Sequence, residues 1–254
     1  MIRTLLIWGL LAGLCGGLLA TGFSEVAGEP AVNQAIAFES VQAKAAGEAE
    51  EPEIVTRGVQ RTVGLLTAAI IFGVSMGGLF ALAFAFAYGR VGRASPARTA
   101  LWLAAGAFVV VYLVPFLKYP ANPPSVGDPD TIGKRTELYL AMIVCSLLAA
   151  VAALRIRAWL AERRDATTAT VVAGLSYLAV VVAAGLILPG IHEVPANFPA
   201  TTLWRFREAS IGMQVVLWGT IGVVFSIAAQ RVMAGEPVLR RRARATGFVA
   251  SPGD

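Results

Sequence analysis

Six long apolar runs, separated by short charged or proline-rich gaps, organise this chain. They fall at residues 2–23, 62–88, 99–117, 136–154, 169–188 and 209–230. Each is close to the roughly 20 residues an α-helix needs to cross about 30 Å of hydrocarbon. Charged residues stand at the ends of the runs and not in their middles, as the cost of burying an ionised group in lipid requires. A backbone in lipid finds no water to bond, so runs of this kind must be helices. The pattern predicts an all-α polytopic membrane protein with six transmembrane helices arranged as three hairpins.

The gaps are of two kinds. Those after the second, fourth and sixth runs are basic, with Arg90, Arg93 and Arg98, then Arg155, Arg157, Arg163 and Arg164, then Arg231 and Arg240 to Arg244. With Arg3 before the first run, they hold 13 of the 21 basic residues. The excess of Lys and Arg in cytoplasmic segments therefore predicts both termini inside the cell. The expected layout is a transmembrane domain over residues 1–232 and a basic cytoplasmic tail over 233–254, held near anionic lipid.

The other three gaps face outward in this layout. The first, residues 24–57, carries Glu25, Glu29, Glu39, Glu48, Glu50, Glu51 and Glu53 against Lys44 and Arg57. Its middle, Ala31 to Ala46, has Val32 and Ile36 four apart and predicts a short surface helix. The second runs Lys118-Tyr119-Pro120-Ala121-Asn122-Pro123-Pro124, and the third runs from Pro189 through His192-Glu193 to Pro199. Proline fixes φ and excludes helix, so both are expected to be rigid turns.

A repeat runs through these gaps. Pro120-Ala121-Asn122-x-Pro124 and Pro195-Ala196-Asn197-x-Pro199 share one pattern, and each follows a run ending in proline, Pro115 or Pro189. Each leads to an arginine and a carboxylate, Arg135 with Glu137 and Arg207 with Glu208; Pro30-Ala31-Val32-Asn33 with Arg61 is a weaker copy. Repeats of this sort recur in transporters with the site between them, although proline and asparagine are also simply good turn formers. Arg61, Arg135 and Arg207 oppose the positive end of a helix dipole. They call for ion pairs with the acidic gap, Glu137 or Glu208, or for an anionic ligand or partner protein at the outer mouth.

Composition narrows the classes. The chain is 57% hydrophobic and 15% charged, against about 25% charged in soluble domains. Its net charge of +5 is spread over helix ends and does not suggest nucleic acid. Cys15 and Cys145 lie inside runs and read as packing residues, not as a disulfide. The first run resembles a signal peptide in its basic start. Its length and the lack of a small-x-small site favour a retained span, with Gly9, Gly13 and Gly17 as a packing stripe. Met76, Met142 and Met213 fall one to a hairpin, Met142 three residues before Cys145; they fit a soft-metal path or routine core filling. No Walker motif, His-Glu-x-x-His, nucleophile elbow or paired intramembrane carboxylates occur, so the chain reads as neither an enzyme nor an ATP-driven pump.

Three segments carry a family resemblance: the Arg3-Thr4-Leu5-Leu6 start, Tyr119 to Pro124 with Gly127-Asp128-Pro129, and Leu188-Pro189 through Glu193-Val194-Pro195 to Arg207. They resemble the CbtA family of predicted cobalt transporter subunits. The resemblance implies cobalt uptake linked to cobalamin biosynthesis across the bacterial cytoplasmic (inner) membrane. It also implies a small partner, CbtB, with one span and a histidine-rich segment. No permanently bound cofactor is expected, only transported Co²⁺. Imidazole beside carboxylate suits a borderline divalent metal, and His192 is the one histidine. The candidate entrance ligands are His192, Glu193, Asn122 and Asn197. The alternative reading is a non-transporting scaffold or accessory subunit that binds another membrane protein.

Overall fold

The computed structural model describes residues 1–47, 55–124, 126–127 and 129–238. Glu48, Glu50, Glu51 and Glu53 of the acidic gap, Asp128, and Arg240 to Arg244 of the tail lie outside the described residues. Among the described residues, seven long helices are formed: α1 (Ile2–Ala27), α2 (Glu29–Ala46), α3 (Arg57–Ala87), α4 (Pro96–Lys118), α5 (Ile132–Ala161), α6 (Ala166–Ile187) and α7 (Ala200–Met233). All but α2 are long and apolar enough to cross a membrane. No strand is formed among the described residues. The chain is a multi-pass helical membrane protein.

The core begins at one seam. Gly9, Gly13 and Gly17 of α1 lie against Gly77, Gly73 and Ala69 of α3, also spaced by four. A Cβ at Gly9, Gly13, Gly73 or Gly77 would overlap the carbonyl oxygen of the facing glycine. The two backbones therefore touch. Between helices in lipid, where no hydrophobic drive operates, such close approach maximises dispersion contact.

α7 closes the other side of α1, setting Leu217 against Gly16. Phe225 stands edge-on to Phe80 and Phe84 of α3, with centroids 5.2 Å and 5.1 Å away. α4 joins through small residues, and a Cβ at Gly222 would come within 2.8 Å of Ala104 Cβ. At the far end, the Ala97 amide donates to Gln230 Oε1 at 3.3 Å. α1, α3, α4 and α7 thus share one core, with Phe84, Phe225, Leu217 and Ile221 fully buried.

The other two spans stand apart. α5 and α6 pack on each other around a small cluster of Met142, Ala149 and Val181, with Ser146 and Tyr177 hydroxyls 2.8 Å apart. They meet the core through the second half of α4. The outer faces carry bare Leu186, Ile187 and Trp102, as a lipid-facing surface should. Of the three expected hairpins, α1 packs closely with α3, and α4 meets α5 through its second half only. α6 and α7 are consecutive but hardly touch, and α4 packs mainly on α7. Loop length makes neighbours available; the small residues on α4 and α7 decide who pairs.

Pro115 also departs from expectation. It does not end its span but lies fully buried inside α4, which continues to Lys118. Residues Phe108–Leu113 just before it form a π-helical segment. That wider turn absorbs the missing amide and the bulk of the ring. The expected surface helix is present as α2, lying over the loops between spans. Its inward residues are Ala31 and Ala35, with Phe38 edge-on to Phe198 at 5.1 Å.

A Gly13→Val substitution forces α1 and α3 apart and is expected to cost about 1–3 kcal/mol or more. Gly174→Ala, which meets nothing within 4 Å, should leave stability unchanged or raise it. Thermal unfolding of the purified chain in detergent separates the two.

Candidate functional site

The ends of α1, α4 and α6 and the starts of α3, α5 and α7 meet at one face, beneath α2. Two polar groups are built there. The first follows from spacing. Glu25 and Glu29 are four apart across the α1–α2 junction, and Arg57 and Arg61 are four apart at the start of α3. Arg57 Nη2 donates to Glu29 Oε2 at 2.6 Å, and Arg61 Nε donates to Glu25 Oε2 at 2.8 Å. Glu29 is buried, 8% exposed, and also lies 3.9 Å from Arg61. Arg57 reaches Asn33 Oδ1 at 3.4 Å. Paired charges offset each other's desolvation where neither would stand alone.

The second group surrounds a cavity of about 460 Å³ between the end of α4, the starts of α5 and α7, and the two proline loops. Its walls include Tyr112, Lys118, Asn122, Arg135, Tyr139, Glu193 and Arg207. Arg207 Nη2 donates to Asn122 Oδ1 at 3.1 Å and its Nε to the Ala121 carbonyl at 3.3 Å. Arg135 Nη1 lies 3.2 Å from Glu193 Oε2, and the Thr131 hydroxyl donates to Glu193 Oε1. Gly127, with φ +125°, is pressed onto that pair. A Cβ there would stand 2.5 Å from Arg135 Nη1 and 2.9 Å from Glu193 Oε2. The Tyr119 hydroxyl donates to the Pro189 carbonyl at 2.9 Å and ties the two proline loops together. Burial pushes the Tyr119 phenol up from its ordinary value, so it keeps its proton across the physiological range.

Of the four candidate ligands, Asn122 and Glu193 line this cavity. His192 and Asn197 are exposed; the His192 ring lies over Gly190, where a Cβ would come within 2.9 Å of Nε2. The repeated Pro-Ala-Asn pattern therefore gives two unlike turns. The second closes from the Phe198 amide to the Pro195 carbonyl, the first from the Val126 amide to the Pro123 carbonyl. Among the described residues, no three His, Cys, Asp or Glu side chains come together as a metal site would need. The methionines form no line either. Met76 and Met213 border the main core, and Met142 belongs to the α5–α6 cluster.

The expected ion pairs are corrected in part. Arg61 takes its partner from the acidic gap, as expected. Arg135 pairs with Glu193, while Glu137 is exposed. Arg207 binds Asn122, while Glu208 is exposed at a separate shallow cavity with Arg205 and Phe23. The reason is helical geometry: residues one or two apart on a helix do not face each other. Tyr112, Thr131, Tyr139 and Gly127 carry no sequence signal that assigns them to the site. The four-residue spacing of Glu25/Glu29 and Arg57/Arg61 does carry one.

Arg135→Gln and Glu193→Gln should each destabilise the chain by about 1–3 kcal/mol, since each strands a largely buried partner. The double variant should lose less than the sum of the two. A double-mutant cycle on thermal unfolding in detergent checks this coupling.

Comparison with known proteins agrees with this architecture. No curated protein and no solved structure matches the chain. Residues 2–230 match the model of a family described as "probable cobalt transporter subunit (CbtA)". That match runs from the glycine stripe of α1 through both proline loops and nearly to the end of α7, and the chain belongs to the CbtA family.

Proposed function

We propose that this chain is the multi-span subunit of a divalent-cation uptake system in the bacterial cytoplasmic (inner) membrane, with cobalt for cobalamin synthesis as its cargo. The family match over residues 2–230 carries the reading. The distribution of charge supports its orientation. Arg90, Arg93, Arg98, Arg155, Arg157, Arg163, Arg164 and Arg231 lie at the face opposite α2, which supports a cytoplasmic position for both termini and an outer one for α2. The glutamate-rich gap then raises the local cation concentration at the mouth.

In this reading His192, Glu193, Asn122 and Asn197 receive the ion at the outer face. Glu193 is the negative member, and Arg135 holds it until a dication competes for the carboxylate. One imidazole makes a poor site for a borderline metal. A small single-span partner with a histidine-rich segment, of the CbtB kind, supplies the remaining nitrogen ligands and hands the ion over. The commitment of Glu193 and Asn122 to arginines favours a second reading, an accessory subunit that positions the partner and carries no ion itself.

Radioactive cobalt uptake in a strain without other cobalt routes tests the first reading. Chain and partner together should restore uptake, and His192→Ala with Glu193→Gln should reduce it several-fold. Uptake unchanged by deletion of this chain overturns it, and uptake by the partner alone selects the accessory role. For orientation, Gln42→Cys in a cysteine-free background should react with a membrane-impermeant maleimide from outside intact cells.

A further inference from the structure

We infer that the cavity between α4, α5 and α7 binds an oxyanion of the phosphate class through Lys118, Arg207 and Arg135. Among the described residues, three cations line it against one carboxylate, Glu193. Glu193 lies on Arg135 and cancels that charge. The charges of Arg207 and Lys118 remain. The acceptors Arg207 uses, the Ala121 carbonyl and Asn122 Oδ1, are neutral; they satisfy N–H groups without balancing a cation. A guanidinium carries five donors, so it has more to offer a ligand.

A second observation is independent of charge. Tyr112 Oη and Arg135 Nε are buried and have no hydrogen-bond partner among the described residues, and both residues belong to the cavity wall. Buried donors left unmade are costly. An oxyanion presents several acceptors at once, and arginine forks match it in plane and spacing. Glu193 Oε2 is the opposing feature, a buried acceptor that also lacks a hydrogen bond. Its charge is spent on Arg135 3.2 Å away, so it sets where the anion sits without excluding it.

Position points to the source. Lys118 is the last residue of α4, Arg135 falls in the first turn of α5, and Arg207 lies about two turns into α7. All three cations stand near span ends, where a bilayer crossed by these helices would present its phospholipid headgroups. The two sources of this chemistry are a lipid phosphate and free phosphate. The inference does not depend on which ion the chain helps to transport.

The test uses the full chain, delipidated in an uncharged detergent and titrated calorimetrically with inorganic phosphate and, separately, with short-chain phosphatidylglycerol. Saturable binding of either is the expected result. Tighter binding of phosphatidylglycerol identifies a headgroup site, and tighter binding of phosphate identifies a free-ion site. Lys118→Gln and Tyr112→Phe should each weaken the preferred probe about tenfold, with circular dichroism unchanged. If the lysine variant does not fold, the tyrosine variant decides alone. Absence of saturable binding by both probes, or wild-type affinity in the folded variants, overturns the proposal.

Discussion

The backbones of α1 and α3 touch, and the remaining spans take their places from that contact. In lipid, two helices gain little by hiding apolar side chains from tails that are equally apolar. What they gain is close contact, and contact is closest where Cβ atoms are missing. Gly9, Gly13 and Gly17 facing Gly77, Gly73 and Ala69 supply a run of such positions just over two turns long. With α1 drawn in, Gly16 receives Leu217 and brings α7 onto the same helix. The phenylalanines of α3 and α7 then interlock on the far side. A first helix in this position is central to the bundle, and its loss would strip α3 and α7 of their shared partner.

The α2 face answers a different constraint, the cost of ionised groups at the edge of a low-dielectric slab. Six of its arginines and glutamates are joined into two separate ion groups. One sits over α1 and α3; the other, Arg135 with Glu193, lies in the cavity wall. Arg207 finds dipoles instead of a carboxylate, and Tyr119 fastens one proline loop to the other through a carbonyl. These contacts hold rigid loops over the span ends. They also engage Glu193 and Asn122, two of the four candidate ligands. A family of transporter subunits fits this arrangement, since a subunit can leave part of the coordination to its partner.

The packing divides the spans unequally. α1, α3, α4 and α7 form one body. The α5–α6 pair leans on it through the π-helical half of α4. The cavity of the candidate site opens at that join, between the end of α4 and the start of α5. A change in how the α5–α6 pair leans on the core would alter the cavity first, because the core contacts of α1, α3 and α7 do not depend on it.

Much of this was legible along the chain. Run length, missing mid-run charge and the four-residue glycine period belong to local sequence, and lipid leaves the backbone no alternative to helix. So the six spans, the α1 stripe and the helix over Ala31 to Ala46 could be read directly. Helix pairing could not, because it depends on which small residues face each other across space. Gly222 meeting Ala104 overrides the chain order that would pair α6 with α7. The site divides in the same way. Neighbours in sequence, Arg135 with Glu137 and Arg207 with Glu208, point around the helix away from each other. The partners that tertiary structure supplies, Glu193 and Asn122, come from loops 58 and 85 positions distant. Sequence settled the solvent and the elements, because those follow from each segment's own chemistry; only folding decided which charges meet, because that requires segments far apart in the chain to arrive at one face.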